Sequence, residues 1–170
     1  ENLKGEEKQL MDETYQSFVR AGAELTDTNR ERVNAISEEL AGLTTEFGQN
    51  VLKDTNEFEL VLEAGEDTAG LPDFVLEMGK AEAEARDKPG KYVFTTSRSS
   101  ITPFLQYAEK RDRREQIYMA YTECGTRGTD NHPIIQRVVS LRSERAKLLG
   151  FQSHADFMLD DRMAKTPEAV

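Results

Sequence analysis

One seam limits what this chain can fold into more than any other feature. Val33, Ile36, Leu40, Leu43, Phe47 and Val51 follow one another at steps of three and four residues, the spacing that puts side chains on one face of an α-helix. The pattern predicts a helix over 27–53, roughly 40 Å long at 1.5 Å per residue. Such a helix needs partners along its whole length. The preceding helical pattern, with Leu10, Met11, Tyr15, Phe18 and Val19 on one side and Gly22 at its end, is the nearest candidate. Antiparallel packing through the turn at 22–26 is therefore expected, and a coiled-coil oligomer is the competing reading.

The last forty residues are as strongly marked. Ile134, Val138, Leu141 and Leu148 recur at helical spacing among charged residues, and Gly150 follows. Glycine accepts the left-handed conformation that ends a helix, which leaves Phe151 to fold back on the last apolar turn. Ser153 to Asp156 is a capping-box pattern that restarts the chain as a helix. Ala155, Met158, Leu159 and Met163 can line its apolar side. Thr166-Pro167-Glu168 reads as a third helix start, with a hydroxyl cap, proline at the first position and an acid near the positive dipole end. A chain that opens a helix there, and whose first residue is Glu1, reads as an internal piece of a longer protein. The expectation for the isolated piece is self-association through faces left without their native cover, or poor order over Lys165–Val170.

Between these ends the period changes. Phe58–Leu62 and Tyr92–Thr96 are short and rich in branched and aromatic residues, and read as two strands. They flank a helix whose apolar side carries Phe74, Val75 and Met78. Thr102-Pro103 signals another helix start, with Phe104, Leu105 and Ala108 as anchors. Asp112 to Glu115 reads as a capping box with aspartate as the cap, and Ile117, Tyr118, Ala120 and Tyr121 as the buried face. The expected fold class is mainly α: a helical bundle with one small pair of β-strands. Three segments follow, a long helical hairpin over 1–56, a strand-helix-strand insert over 57–100 and a helical segment over 101–170, in one continuous domain fragment.

Composition narrows the chemistry. Thirty-two acidic residues against 22 basic ones leave a net charge of −10, the wrong sign for a nucleic-acid surface. The apolar runs are too short to span a bilayer, so neither nucleic acid nor membrane is an expected partner. The single cysteine, Cys124, excludes an internal disulfide and a Cys-rich zinc module. His132 and His154 are the only histidines. A zinc site from both plus Cys124 would require three loop-region residues to converge, and no H-E-x-x-H helix exists in the sequence. Cys124 reads as a structural thiol. Asp160-Asp161-Arg162 reads either as a charged channel wall or, preferably, as a surface ion pair. Tyr15, Tyr107, Tyr118 and Tyr121 fall by apolar faces and are expected in the core with their hydroxyls at the edge. No catalytic, cofactor-binding or metal-ligating residue is assigned.

The run from Leu149 to Val170, LGFQSHADFMLDDRMAKTPEAV, resembles a segment of the thimet oligopeptidase-like zinc metallopeptidases. Thr44 to Asn56 is similar to that family's helix before its first strand. So are the turn Ala69-Gly70-Leu71-Pro72 and the series Pro103-Phe104-Leu105, Arg114-Glu115 and Tyr118. The likeness covers most of the chain in order, and is nearest to the peptidyl-dipeptidase branch over Glu13 to Gly22 and Met163 to Pro167. It implies a larger, two-lobed helical metallopeptidase with a deep channel for short peptides, whose zinc site lies C-terminal to this sequence. None of that site's positions carries over to residues here. The piece itself is then scaffold and channel wall, predicted inactive alone, in a parent that is cytoplasmic, with the periplasm as the alternative. A stand-alone acidic interaction module and a catalytically dead paralogue are the rival readings.

Overall fold

The computed structural model describes residues 3–170. Among the described residues seven helices run in order: α1 Glu6–Arg20, α2 Asp27–Glu57, α3 Asp73–Ala85, α4 Arg98–Tyr107, α5 Arg111–Thr122, α6 His132–Leu148 and α7 His154–Leu159. Two strands, β1 Leu60–Leu62 and β2 Tyr92–Phe94, flank α3. The fold is mainly α, with a single two-stranded sheet among the described residues. The strands pair antiparallel, with Leu60 opposite Phe94 and Leu62 opposite Tyr92, which settles a direction that the sequence left open.

The chain divides into two compact units, one of Glu1–Thr45 with Pro133–Val170 and one of Glu46–His132. In the first, the expected seam is real over its leading half. Val33, Ile36 and Leu40 are buried, and Ile36 and Leu40 cluster with Leu141 of α6. The partner of α2 is therefore α6 rather than α1. Two forked ion pairs fix the antiparallel register. Arg32 donates from Nε and Nη2 to Glu144 at 2.6 and 2.9 Å, and Arg137 donates to Glu39 at 2.5 and 2.8 Å. Helix α1 has no buried residue, and Leu10, Met11, Tyr15 and Phe18 are all exposed. The predicted α1–α2 hairpin seam does not form.

Two of the three local end signals in this unit match the sequence. Gly150 has φ +88°, its N–H donates to the Lys147 carbonyl, and the Phe151 N–H reaches back to Ala146. These bonds satisfy carbonyls that the helix end would otherwise orphan. Ser153 Oγ accepts from the Asp156 N–H at 3.2 Å and donates to its carboxylate at 2.6 Å. Thr166 makes no side-chain cap, and Pro167–Ala169 is a single 3-10 turn.

The second unit is built on Leu60, Leu62, Leu71, Val75, Phe94, Ile101, Phe104, Ala108 and Ile117. Phe94 and Phe104 pack with their rings tilted by 44° and centroids 4.6 Å apart. Three sequence expectations fail here. Helix α3 buries Val75, Gly79 and Ala83, whereas Phe74 and Met78 are exposed. A Cβ on Gly79 would lie 2.7 Å from Phe94 Cζ, so the helix approaches the sheet through its smallest residues. Helix α4 starts at Arg98, a turn before the predicted Thr102-Pro103 signal, and Pro103 sits inside it. Helix α5 begins at Arg111 with Lys110 as the flanking residue, which puts Asp112 in the first turn rather than at the cap. In both helices the chain commits earlier than the cap residues suggest, and in α4 the earlier start places the buried Ile101 within the helix.

Candidate functional site

The residues that the sequence singled out each have local partners of their own. His132 is exposed, and its Nδ1 lies 2.7 Å from Asp130 Oδ1. His154 is half-buried beside Phe157, with Nδ1 buried and unpartnered. Burial, then the charges of Arg142 and Arg145, hold its imidazole below the ordinary value. Cys124 Sγ lies 3.2 Å from Thr55 Oγ1 and donates to the Val51 carbonyl at 3.4 Å, as a structural thiol would. Among the described residues no group of three or more His, Cys, Asp or Glu side chains could hold a metal ion. The described residues thus do not fit a zinc ion. Tyr15, Tyr107, Tyr118 and Tyr121 are exposed rather than core residues. Their faces lie on helices that turn other residues inward.

A concave feature of about 870 Å³ is lined by Asp12, Glu13, Ser17 and Arg20 of α1 with Asp160, Asp161 and Lys165. Arg20 organises it. Its Nη1 donates to Asp160 Oδ2 at 2.8 Å, its Nη2 donates to the Phe157 carbonyl at 2.8 Å, and Asp161 stands 3.5 Å away. The guanidinium also lies 4.5 Å over the Phe157 ring, a cation–π arrangement. Asp160 and Asp161 are therefore both paired to a distant arginine, and Asp161 also to the adjacent Arg162. Four carboxylates around two bases make a predominantly acidic cleft, suited to cationic or N–H-rich ligands. No residue of α1 is fully buried, and Arg20 ties the helix to Asp160 and the Phe157 carbonyl. Arg20→Ala is expected to lower stability by about 1.5–3 kcal/mol, the scale of charged hydrogen bonds. Arg20→Lys should recover only part, because an ammonium cannot reproduce the planar fork. Urea unfolding, with amide exchange over α1 as the local readout, checks this.

The most completely satisfied polar centre is one the sequence does not announce. Asp54, on the last turns of α2, is 4% exposed. Its carboxylate accepts the N–H groups of Gly125 at 2.8 Å, Arg127 at 3.3 Å and Gly128 at 3.2 Å. Burial opposes the charge, but these three bonds and the nearby Arg127 outweigh it and hold the carboxyl below the usual range. Gly125 has φ +84°, and a Cβ at Gly128 would stand 2.7 Å from Asp54 Oδ1, so both glycines are required by the clamp. Beside it Asn131 is buried, accepting from Asn50 at 2.8 Å and donating to the Phe47 carbonyl at 3.4 Å. The glycine pair after Cys124 was the visible signal, legible as a helix end but not as a loop wrapped on a carboxylate.

Similarity to known proteins follows the same chain. The profile described as Peptidase family M3 matches residues 104–170. Oligopeptidase A of Haemophilus influenzae is 32% identical over 170 residues, covering 96% of this chain and 25% of its own. The chain belongs to peptidase family M3. Dipeptidyl carboxypeptidase of Escherichia coli is likewise 32% identical, over 99% of this chain and 25% of its own. The probable cytosolic oligopeptidase A of Arabidopsis thaliana is 32% identical over 95% of this chain and 24% of its own. The M3 chain thus spans about a quarter of the length of the curated relatives it matches. Identity does not separate the two kinds of relative.

Proposed function

We propose that this M3 chain is scaffold and channel wall of a zinc metallopeptidase that hydrolyses short peptides and releases dipeptides from their C-termini. The observation that carries the reading is the end-to-end match to dipeptidyl carboxypeptidase, over 99% of this chain. The likeness to the peptidyl-dipeptidase branch over Glu13 to Gly22 and Met163 to Pro167 supports the same branch. Those two segments also border the acidic cleft at Arg20 and Lys165, and this cleft is the part of the wall we assign to peptide contact. Zinc belongs to the reading through the family. Its ligands would be residues of the parent outside this sequence, since those present do not fit the metal. The compartment in this reading is the cytoplasm. No helix among the described residues is long and apolar enough to cross a membrane.

The match to oligopeptidase A supports a second reading, cleavage within short peptides rather than at their C-terminal dipeptide. Substrate end-chemistry separates the two. A polypeptide of the relatives' full length should release dipeptides from a peptide with a free C-terminus and spare its amidated counterpart. Mass spectrometry of the products reads this directly, and internal cleavage of both peptides would favour the second reading. The 170-residue chain alone is expected to retain no stoichiometric zinc and to cut neither peptide. One tightly held zinc per chain, lost in the His132→Ala/His154→Ala double variant, would overturn the assignment of the metal site to another part of the parent.

A further inference from the structure

We propose that the cleft between α2 and α6 is an oxyanion-binding site, with Arg142 and Arg145 as its donors. The cavity, about 370 Å³, has Ser37, Thr44 and Thr45 of α2 on one side and the two arginines of α6 on the other. On the same helix pair, Arg32 and Arg137 are each matched by a forked carboxylate. By contrast, among the described residues neither Arg142 nor Arg145 joins an ion pair or donates a hydrogen bond, and Arg145 Nε is buried without an acceptor. That is unusual in a chain with 32 acids and 22 bases, where carboxylates are in surplus. The hydroxyls do not fill the need. Ser37, Thr44 and Thr45 donate to the carbonyls of Val33, Leu40 and Ala41 in their own helix.

The positive charge is also crowded. Burial, then the neighbouring Arg142, weakens the hold of Arg145 on its proton, and both arginines act on His154 in the same sense. A buried guanidinium edge without an acceptor costs free energy that a bound anion would return. Two arginines one turn apart present planar forks that suit a carboxylate or a phosphate. The cavity volume admits a phosphate or the end of a short peptide. The shared chemistry is an oxyanion, from inorganic phosphate or from a peptide carboxylate. The site is independent of the proposed peptidase activity.

Arginine side-chain and backbone NMR shifts of the protein, followed against inorganic phosphate and separately against acetyl-dialanine, test the site. Acetyl-dialanine amide is the uncharged control and chloride holds ionic strength constant. Saturable shifts are expected at Arg145 Nε and at the Thr44 and Thr45 amides, with affinity about tenfold lower in Arg142→Gln. Because Arg142 is exposed, that variant should fold. Arg145→Lys should also weaken binding, since it keeps the charge and loses the fork. Saturation by phosphate alone, or by the carboxylate alone, supports the site and names its source. No saturation by about 50 mM of either anion, where only screening remains, overturns it. So does equal affinity in Arg142→Gln, or equal response to the amide control.

Discussion

Replacing Asp54 with alanine is expected to destabilise the protein by about 3 kcal/mol, from three backbone donors left unpaired at roughly 1 kcal/mol each. The donors belong to Gly125, Arg127 and Gly128, and the residue that gathers them is almost fully buried. Asp54→Asn should cost less, because the amide oxygen can keep one or two of the bonds while its NH₂ opposes the rest. The two variants also differ from the parent in acid. The folded carboxyl lies below its ordinary value, so its stabilising contribution is fully present above the unfolded pKa of about 3.9. It is lost as pH falls through the lower folded value. Stability of both variants should therefore fall less steeply than the parent's below about pH 4. Urea midpoints from pH 3 to 7, with amide exchange at Gly125 and Gly128, measure both effects. Unchanged exchange at those two amides in Asp54→Ala would show that the carboxylate does not hold the loop.

What the sequence made legible was whatever is encoded locally. The helix end at Gly150 and the restart at Ser153 depend on a few adjacent residues, and the structure contains both. The strands at Leu60–Leu62 and Tyr92–Phe94 are shorter than predicted but fall inside the expected runs. The choice of partners was much less legible. The seam from Val33 to Val51 specifies that α2 has an apolar stripe, not that α6 covers its first half, since the forks Arg32–Glu144 and Arg137–Glu39 join positions about a hundred residues apart. Large side chains also misled. Phe74, Met78 and the tyrosines outweigh Gly79 and Ala83 in any count of hydrophobicity. Yet close approach of α3 to the sheet requires the small pair inside. The candidate sites suffered most, because a buried carboxylate such as Asp54 and an unpaired arginine such as Arg145 are defined only by their surroundings.

Phe104→Ala is expected to be the most damaging aliphatic or aromatic truncation, at about 3–5 kcal/mol. The side chain is wholly buried, and its ring is 4.6 Å from that of Phe94. It comes from α4, whereas Phe94 comes from β2, so one truncation loosens the packing of helix on sheet. Collapse into the gap is hindered on two sides. Gly79 already brings the α3 backbone against Phe94, and Pro103 restricts how far the preceding turn of α4 can shift. The remaining cavity should thus stay large, at the upper end of the cost for such changes. Phe47→Ala makes the comparison. The apolar seam assigned that residue to a buried stripe, but it is 38% exposed, and its truncation should cost about 1 kcal/mol. Chemical unfolding of both variants, with amide exchange in β1, β2 and α4 as a local probe, tests the ordering. If Phe47→Ala proved as costly as Phe104→Ala, the buried stripe of α2 would extend through its second half, and the core assigned to Glu46–His132 would be incomplete.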